Sequence, residues 1–489
     1  MIVKRFYDTK LAQTSYLIGC GRTGSAVVID ANRNIEQYLD MAKAEGVAIT
    51  HVTETHIHAD FVSGSRELAH RTGATLYLSD EGDADWKYAF ARSDGASLLK
   101  DGDSFKVGNV VVAAVHTPGH TPEHLSFLIT DTAAASEPIA MVTGDFVFVG
   151  DVGRPDLLER AAKIEGSMEG AARALYASLQ RFRRYPDWLQ IWPGHGAGSA
   201  CGKGLSAVPH STVGYERLFN WAFGVADENE FVQMVLAGQP EPPKYFAEMK
   251  RINKAGPLVR HGFTRPALLT AQDITRLVES RALVVDTRPA ADFAAGHIPD
   301  TINIPQNESF TTWAGWLIPY DRDVTLIVNA PYAQSLDHAM ENAVRDLAMI
   351  GIDRVSGYAD GSVLAQWATE GRALETIAAM TPTHVAERLA SGAVHVVDVR
   401  GRSEWEAGHI EGADNIPAGY LVERLDQIPR DTTVVVHCQT GARSAIGASV
   451  LQAHGFRQVV NMTGGITAWL QAGLPTVVGT HELRAQEVQ

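Results

Sequence analysis

Short apolar runs separated by Gly and Asp turns fill the chain from Met1 to about Gly256, and the stretch Ala48 to Glu54 reads as one of the strands this pattern predicts. From Gly166 to Arg184 the period changes, and Met168, Ala172, Leu175 and Leu179 fall on one face of a predicted helix. The mixture predicts an αβ sandwich. The segment Lys254 to Pro266 (KAGPLVRHGFTRP) has neither period and carries Gly and Pro, so it reads as a linker. Beyond it the chain repeats itself: LVVDTRPAADFAAGHIPDTINIP (Leu283 to Pro305) aligns with VHVVDVRGRSEWEAGHIEGADNIP (Val394 to Pro417). Each copy has a buried-strand run ending in Asp and Arg, a GHI turn, a second apolar run (Val324 to Val328, Thr433 to Val436) and then a helix, an alternation that predicts a parallel sheet. The expected domains are therefore 1–256, 257–374 and 375–489.

Length agrees, since 489 residues exceed what one core usually serves and suggest about three domains. The formal net charge of −15 disfavours polyanionic partners, so neither nucleic acid nor an anionic membrane is expected, although local Arg and Lys groups leave room for a small anionic substrate. Cys20, Cys201 and Cys438 are too few and too scattered for a disulfide framework, and no CxxC pair marks a structural zinc site. With no apolar leader in MIVKRFYDTKLAQTSYLIG and no uninterrupted apolar run of about 18 residues, the expectation is a soluble cytoplasmic protein.

The strand ending at Glu54 runs into Thr55-His56-Ile57-His58-Ala59-Asp60, a turn able to aim two imidazoles and a carboxylate at one point. Pro118-Gly119-His120-Thr121, Thr143-Gly144-Asp145 and Pro193-Gly194-His195-Gly196 follow, each at the end of an apolar run and each with small residues that permit close backbone approach. A lone histidine is more often a hydrogen-bonded structural residue than a ligand, but HxHxD, PGHT, TGD and PGHG in that order resemble the metallo-β-lactamase superfamily. That resemblance implies an αββα sandwich. Many dizinc members carry a His directly after the Asp, whereas this chain has Phe61, which leaves Asp60 and His58 short of a partner for a second metal. A single metal held by His56, His120 and Asp145 remains, and two imidazoles with one carboxylate suit non-haem Fe(II) with positions open for substrate and O2.

THIHAD, PGHT and TGD look like the corresponding elements of the persulfide dioxygenases. The resemblance implies one Fe(II) per chain on His56, His120 and Asp145, with His58, Asp60 and His195 orienting ligands or hydrogen-bonding substrate, or serving only as structural hydrogen-bonding groups of the turn. Arg154 is a candidate for binding a substrate carboxylate or phosphate, against a salt bridge to Asp151 or Asp156. Cys201 is either a persulfide carrier near the iron or a small buried residue, and Lys203 beside it a candidate to steady a thiolate or an anionic substrate. Cys20, in SYLIGCG, reads as packing.

In the last domain His437-Cys438-Gln439-Thr440-Gly441-Ala442-Arg443-Ser444 presents Cys438 at a predicted helix N-terminus, where backbone N–H groups, the helix dipole and Arg443 favour a thiolate. Tyrosine phosphatases use a related loop with five residues between Cys and Arg; here four intervene. VVDVR, GHIEGADNIP and GGITAW around the loop resemble the rhodanese family, which implies that Cys438 carries a persulfide sulfur and that both C-terminal copies are rhodanese-like α/β domains. The first copy aligns Ala330 with the cysteine and Gln334 or Ser335 with the arginine, so it is expected to be catalytically silent.

Taken together, the whole chain resembles persulfide dioxygenase and rhodanese fusions. The implied activity is oxidation of a glutathione- or coenzyme A-type persulfide by O2 to sulfite, with sulfur transfer through Cys438 giving thiosulfate, and a homo-oligomer is expected by analogy. The competing readings are a glyoxalase II-like zinc thioester hydrolase with accessory rhodanese domains, and a non-enzymatic sulfur carrier with a vestigial metal site.

Overall fold

The computed structural model describes residues 1–157, 159, 166–239, 241–329 and 335–479. Two compact units result, one comprising Met1–Thr264 with Arg345–Asp353, the other Arg265–Val344 with the chain from Arg354 onward.

The first unit holds two six-stranded sheets. One takes its strands in sequence order from Ile2–Asp8 to Ser97–Leu99; the other runs from Ser211–Thr212 through Gln190–Pro193, Ala140–Gly144, Leu125–Asp131 and Val110–His116 to Ser104–Val107. Side chains that alternate along a strand go to opposite faces, and the burial follows that rule. Tyr16, Ile18, Val27 and Ile29 of the first sheet share a core with Val110, Val112, Phe127 and Val142 of the second. The intervening Leu17 and Val28 face the helices carrying Tyr38 and Leu68. Met141 and Ile191 meet the helix Ser167–Phe182 on the far side, through Ala172, Leu175 and Leu179. Layers stack as αββα, with the strand Gln13–Cys20 covered on both faces. Each fully buried Leu, Ile, Val or Phe contributes about 1.5–3 kcal/mol, so three such cores make a rigid frame for the loops at the strand ends. Met168, expected on the buried face of the Ser167–Phe182 helix, is only half-buried and lies in its first turn.

In the second unit the duplication holds down to individual hydrogen bonds. Each copy is a five-stranded parallel sheet of the same strand order: Ala267–Leu268, Val355–Asp360, Val324–Val328, Leu283–Asp286, Ile302–Asn303 in one, and Ala378–Met380, Val459–Met462, Thr433–His437, Val394–Asp398, Asp414–Asn415 in the other. Arg288 grips Asp286 and the Gly296 carbonyl; Arg400 grips Asp398 and the Gly408 carbonyl in the same way. Asn303 and Asn415 each donate to the carbonyls of that Asp and that Arg.

Strand register corrects the alignment of the two copies. Asp398 pairs with His437 and Asp286 with Ile327, which puts Val328, not Ala330, at the place of Cys438. The carbonyls agree: Thr287 N–H donates to Ile327 O as Val399 N–H donates to His437 O. Ala330 and Gln334 lie outside the described residues, and Ser335 accepts a hydrogen bond from His338 N–H at the start of the following helix. Either alignment leaves the first copy without a thiol at this position. Among the described residues no helix is long and apolar enough to cross a membrane.

Candidate active site

The histidines and carboxylates singled out in the sequence of the first unit converge, because their loops all leave the sheets at neighbouring strand ends. His56, His58 and Asp60 follow the strand Ala48–Thr53; His120 follows Val110–His116; Asp145 ends Ala140–Gly144; His195 follows Gln190–Pro193. All six are buried. Asp145 Oδ2 lies 3.4 Å from His120 Nε2, 3.5 Å from His195 Nε2 and 4.0 Å from His56 Nε2.

Each imidazole is turned the same way by a distant partner. His120 Nδ1 donates to the Arg154 carbonyl at 3.0 Å and His195 Nδ1 to the Ala12 carbonyl at 2.9 Å, and a carbonyl only accepts. His56 Nδ1 meets Thr55 Oγ1 at 3.0 Å, and that hydroxyl has its one proton directed to Asp30, 3.1 Å from either carboxylate oxygen. In the neutral tautomer these contacts fix, all three rings point the Nε2 lone pair at Asp145, the orientation a metal requires. Burial and the surrounding imidazoles hold His56 well below the usual histidine range, and burial lowers His120 too. Burial acts to raise Asp145, but His195, His120, His58 and His124 hold it below its ordinary value, as an anion. His56 Nε2, both oxygens of Asp145 and both of Asp60 are buried with no hydrogen-bond partner. Bare nitrogen lone pairs crowded around a carboxylate form a costly arrangement that a cation resolves. His56, His120 and Asp145 offer ligand atoms within 4.8 Å of one another, and so do Asp60, His195 and Cys201.

His58 sits differently. Its Nε2 bonds Asp30 Oδ1 at 3.1 Å, and although burial acts to lower it, Asp30, Glu54 and Asp60 raise it to about 9. Phe61 is fully buried with its ring 4.4 Å from that of His58, packing where a further ligand is absent. The glycines are part of the build: a Cβ on Gly144, at φ +49°, would stand 2.6 Å from Thr55 Oγ1, and one on Gly153 would stand 1.8 Å from the Asp145 carbonyl.

Arg154 and Lys203 do not face the centre. The Arg154 guanidinium is fully buried, bidentate on Asp156 at 2.8 and 2.7 Å, and donates to the Ala200 carbonyl. Of the two roles offered for Arg154, the salt bridge to Asp156 is the one present, in place of a substrate contact; the residue clamps the loop bearing Cys201, whose carbonyl accepts from Arg154 N–H, while its own carbonyl orients His120. Lys203 Nζ donates to the Met234 and Ala237 carbonyls at the end of the helix Glu228–Leu236, a C-terminal cap rather than a substrate contact. Cys201 is buried beside Asp145 and Asp60, and burial with those two carboxylates pushes its thiol well above the ordinary range. Cys20 packs in the core between the sheets, as read.

Sequence reasoning passed over Asp30, Thr55, Glu123 and His124. Glu123 accepts from Ile57 N–H between the two HxH imidazoles, and His124 Nε2 accepts from Asp145 N–H. Asp30 ends a buried strand (SAVVID), the one local signal that marks any of them.

In the second unit Cys438 is buried at the mouth of the helix Ala442–Ala453, its Sγ accepting from Gly441 N–H at 3.1 Å and Ser444 Oγ at 3.5 Å. Arg443 lies beside the loop but is bidentate on Glu404 at 2.6 and 2.7 Å, so its charge is already matched. Ile466 and Thr467 N–H groups hold the carbonyls of Cys438 and Gln439, and Gly465, at φ +58°, fits there because a Cβ would stand 2.3 Å from the Cys438 carbonyl.

A metal-centred αββα sandwich followed by two parallel-sheet repeats, one with a cysteine loop, defines the class. Residues 8–195 match the metallo-beta-lactamase superfamily, and residues 270–364 and 381–472 each match the rhodanese-like domain. A solved metallo-beta-lactamase from Staphylococcus aureus is 42% identical, with TM-score 0.67 over 73% of this chain and 99% of that one. The chain belongs to the metallo-β-lactamase superfamily, as a metallo-β-lactamase domain followed by two rhodanese-like domains. A hydroxyacylglutathione hydrolase of Rhodospirillum rubrum is 28% identical over 37% of this chain and 60% of its own length. A probable adenylyltransferase/sulfurtransferase of Mycobacterium tuberculosis is 37% identical over 20% of this chain and 26% of its own. The chain spans about half the length of three of the first curated relatives it matches. These families point to a sulfur-related enzyme with a metal site.

Proposed function

We propose that the first unit is an Fe(II)-dependent dioxygenase for a low-molecular-weight persulfide of the glutathione or coenzyme A type, coupled to sulfur transfer at Cys438 in the cytoplasm. The observation that carries this reading is the set His56, His120 and Asp145, two neutral imidazoles and an anionic carboxylate with buried, unpartnered ligand atoms. Fe(II), which that donor set suits, would supply the redox exchange with O2 that no side chain can.

The residues of the chain do the rest. His56, His120 and Asp145 would hold the ion; Thr55, the Arg154 carbonyl and Asp30 keep those rings from turning. Burial of the whole cluster keeps bulk water from competing with the sulfur anion. The net reaction takes RSSH, O2 and water to RSH and sulfurous acid, which ionises to sulfite. At Cys438 the thiolate, held by Gly441 N–H and Ser444 O–H, attacks the outer sulfur of a persulfide and expels RS⁻. Sulfite then attacks the sulfur carried on Cys438; the S–S bond breaks, thiosulfate leaves and the thiolate returns. The likeness to a sulfurtransferase supports the second step. Three free cysteines suit a reducing compartment.

The second reading, a zinc thioester hydrolase, is favoured by the likeness to a hydroxyacylglutathione hydrolase and by Asp60 and His195 still facing Asp145. O2 uptake by the Fe(II)-loaded protein with glutathione persulfide and coenzyme A persulfide separates the two. The expected result is uptake with thiosulfate from the wild type and sulfite from Cys438→Ser. No uptake, with two zinc ions per chain and thioester cleavage, overturns the dioxygenase reading.

A further inference from the structure

We propose that Arg345–Asp353 is a positioning device for the metal cluster, bracing the three loops that carry its orienting groups. These residues fall inside the stretch that matches the first rhodanese-like domain, yet they belong to the same compact unit as the metallo-β-lactamase domain. The helix Leu336–Met349 ends there, and the last carbonyls of a helix have no partner within it. Here they find donors in the first unit. Val62 N–H donates to the Met349 carbonyl at 2.7 Å, and the Arg33 guanidinium donates to the Ala348 carbonyl at 2.9 Å. A cation at a helix C-terminus also suits the helix dipole. Gly351, at φ +77°, lets the chain turn close against the unit, where a Cβ would stand 2.8 Å from Ile252 Cδ1 and 3.3 Å from Val62 Cγ2.

Ion pairs complete the brace. Asp353 takes Arg33 at 2.7 Å on one oxygen and Arg260 at 3.1 Å on the other, and the buried Asp346 takes Lys10. Lys10, Arg33 and Val62 each lie within three residues of a group the cluster depends on. Lys10 precedes Ala12, whose carbonyl fixes the His195 ring. Arg33 follows Asp30, which holds His58 directly and His56 through Thr55. Val62 follows Asp60 and Phe61, in a turn that Asn253 also holds by donating to the His58 and Phe61 carbonyls and accepting from Ser63 N–H. Val62 is fully buried, so without Met349 its amide would be left unsatisfied and the turn would shift to relieve it. The cysteine-less copy thereby has a role that needs no thiol. We rest this on the reading of His56, His120 and Asp145 as a metal site, whatever reaction that centre performs.

Cobalt(II) binding by the metal-free full-length protein tests it, with affinity measured against a competing chelator and geometry read from the visible absorption of the bound ion. The double variant Asp346→Asn, Asp353→Asn removes the charge from both clamps and touches neither the metal cluster nor the Cys438 loop. The expected result is affinity about 10-fold weaker than wild type, the loss typical of a missing orienting partner, with a changed cobalt spectrum and unaltered sulfur transfer at Cys438. Arg173→Met, which breaks ion pairs with Glu169 and Glu228 elsewhere in the same unit, should leave affinity and spectrum as they are. Wild-type affinity and spectrum in the double variant, or an equal loss in Arg173→Met, overturns the proposal alone. Hydrogen exchange on the wild type decides the matter even where the double variant fails to fold. Coupled segments respond together, so cobalt should slow exchange in the peptides covering 58–64 and 345–353 alike, and exchange in 345–353 indifferent to cobalt overturns the brace. A wild type that binds no cobalt overturns the metal reading and the brace with it.

Discussion

The metal centre collects groups from loops spread between Asp30 and Cys201, whereas the chain from Cys438 to Ser444 supplies the thiol and both hydrogen bonds to it. In the first, every orienting partner is remote in sequence: Ala12 for His195, Arg154 for His120, Asp30 through Thr55 for His56. In the second, a strand, a tight loop and a helix N-terminus make the environment by local geometry, and the remote groups, Glu404 and Ile466, only brace it. A site made from many loops is sensitive to anything that shifts one loop; a site made from one loop is sensitive mainly to its own residues.

The sharpest test of that contrast is a cross of two variants. Asp145→Asn should abolish metal binding in the first unit and leave sulfur transfer from thiosulfate at Cys438 unchanged; Cys438→Ser should abolish sulfur transfer and leave metal content unchanged. Metal analysis and a transferase assay on both proteins check it, and leakage of either effect into the other site would break the comparison. Arg154→Met comes next. It strands the buried Asp156 carboxylate, and breaking a buried pair typically costs about 3–5 kcal/mol. Denaturant unfolding should show that loss, with the Cys438 reaction unaffected under native conditions.

Asp30→Asn keeps the fold but loosens the Thr55–His56 relay, and loss of such an orienting partner lowers metal affinity by roughly 10–100-fold. Competition with a chelator measures it. The smallest expected effect is at Glu123, which burial raises from 4.5 to about 7 against the opposing hydrogen bond from Ile57 N–H. The folded protein keeps this proton where the unfolded chain has lost it, so the stabilisation is full below pH 4.5 and disappears as pH rises through about 7. Glu123→Gln should flatten the stability profile across that window, and an unchanged profile would remove Glu123 as its source.

Much of this was legible in the chain. The strand Val324–Val328 and the helix on Ala172, Leu175 and Leu179 follow from periodicity, because burial against a sheet selects side chains at the spacing of the element. The histidine and aspartate motifs announced a metal because each ends a strand. Cys438 was legible for the same reason, its environment being contiguous. Arg154 stayed open between a substrate group and a salt bridge, since a guanidinium near a metal motif looks the same in sequence until the fold pairs it with Asp156. Ala330 was misplaced because letters were aligned where only the pairing of Asp286 with Ile327 sets the register.

Local spacing along the chain was enough for the three-part order, the duplication, the metal-binding residue types and the loop that presents Cys438. Only the tertiary structure decided the tautomers of the histidines, the isolation of Asp60 and the arrival of Cys201 beside it. Those depend on groups elsewhere in the chain, 183 residues away for His195 and 34 for His120, and no local pattern encodes a contact whose partner lies on another strand's loop.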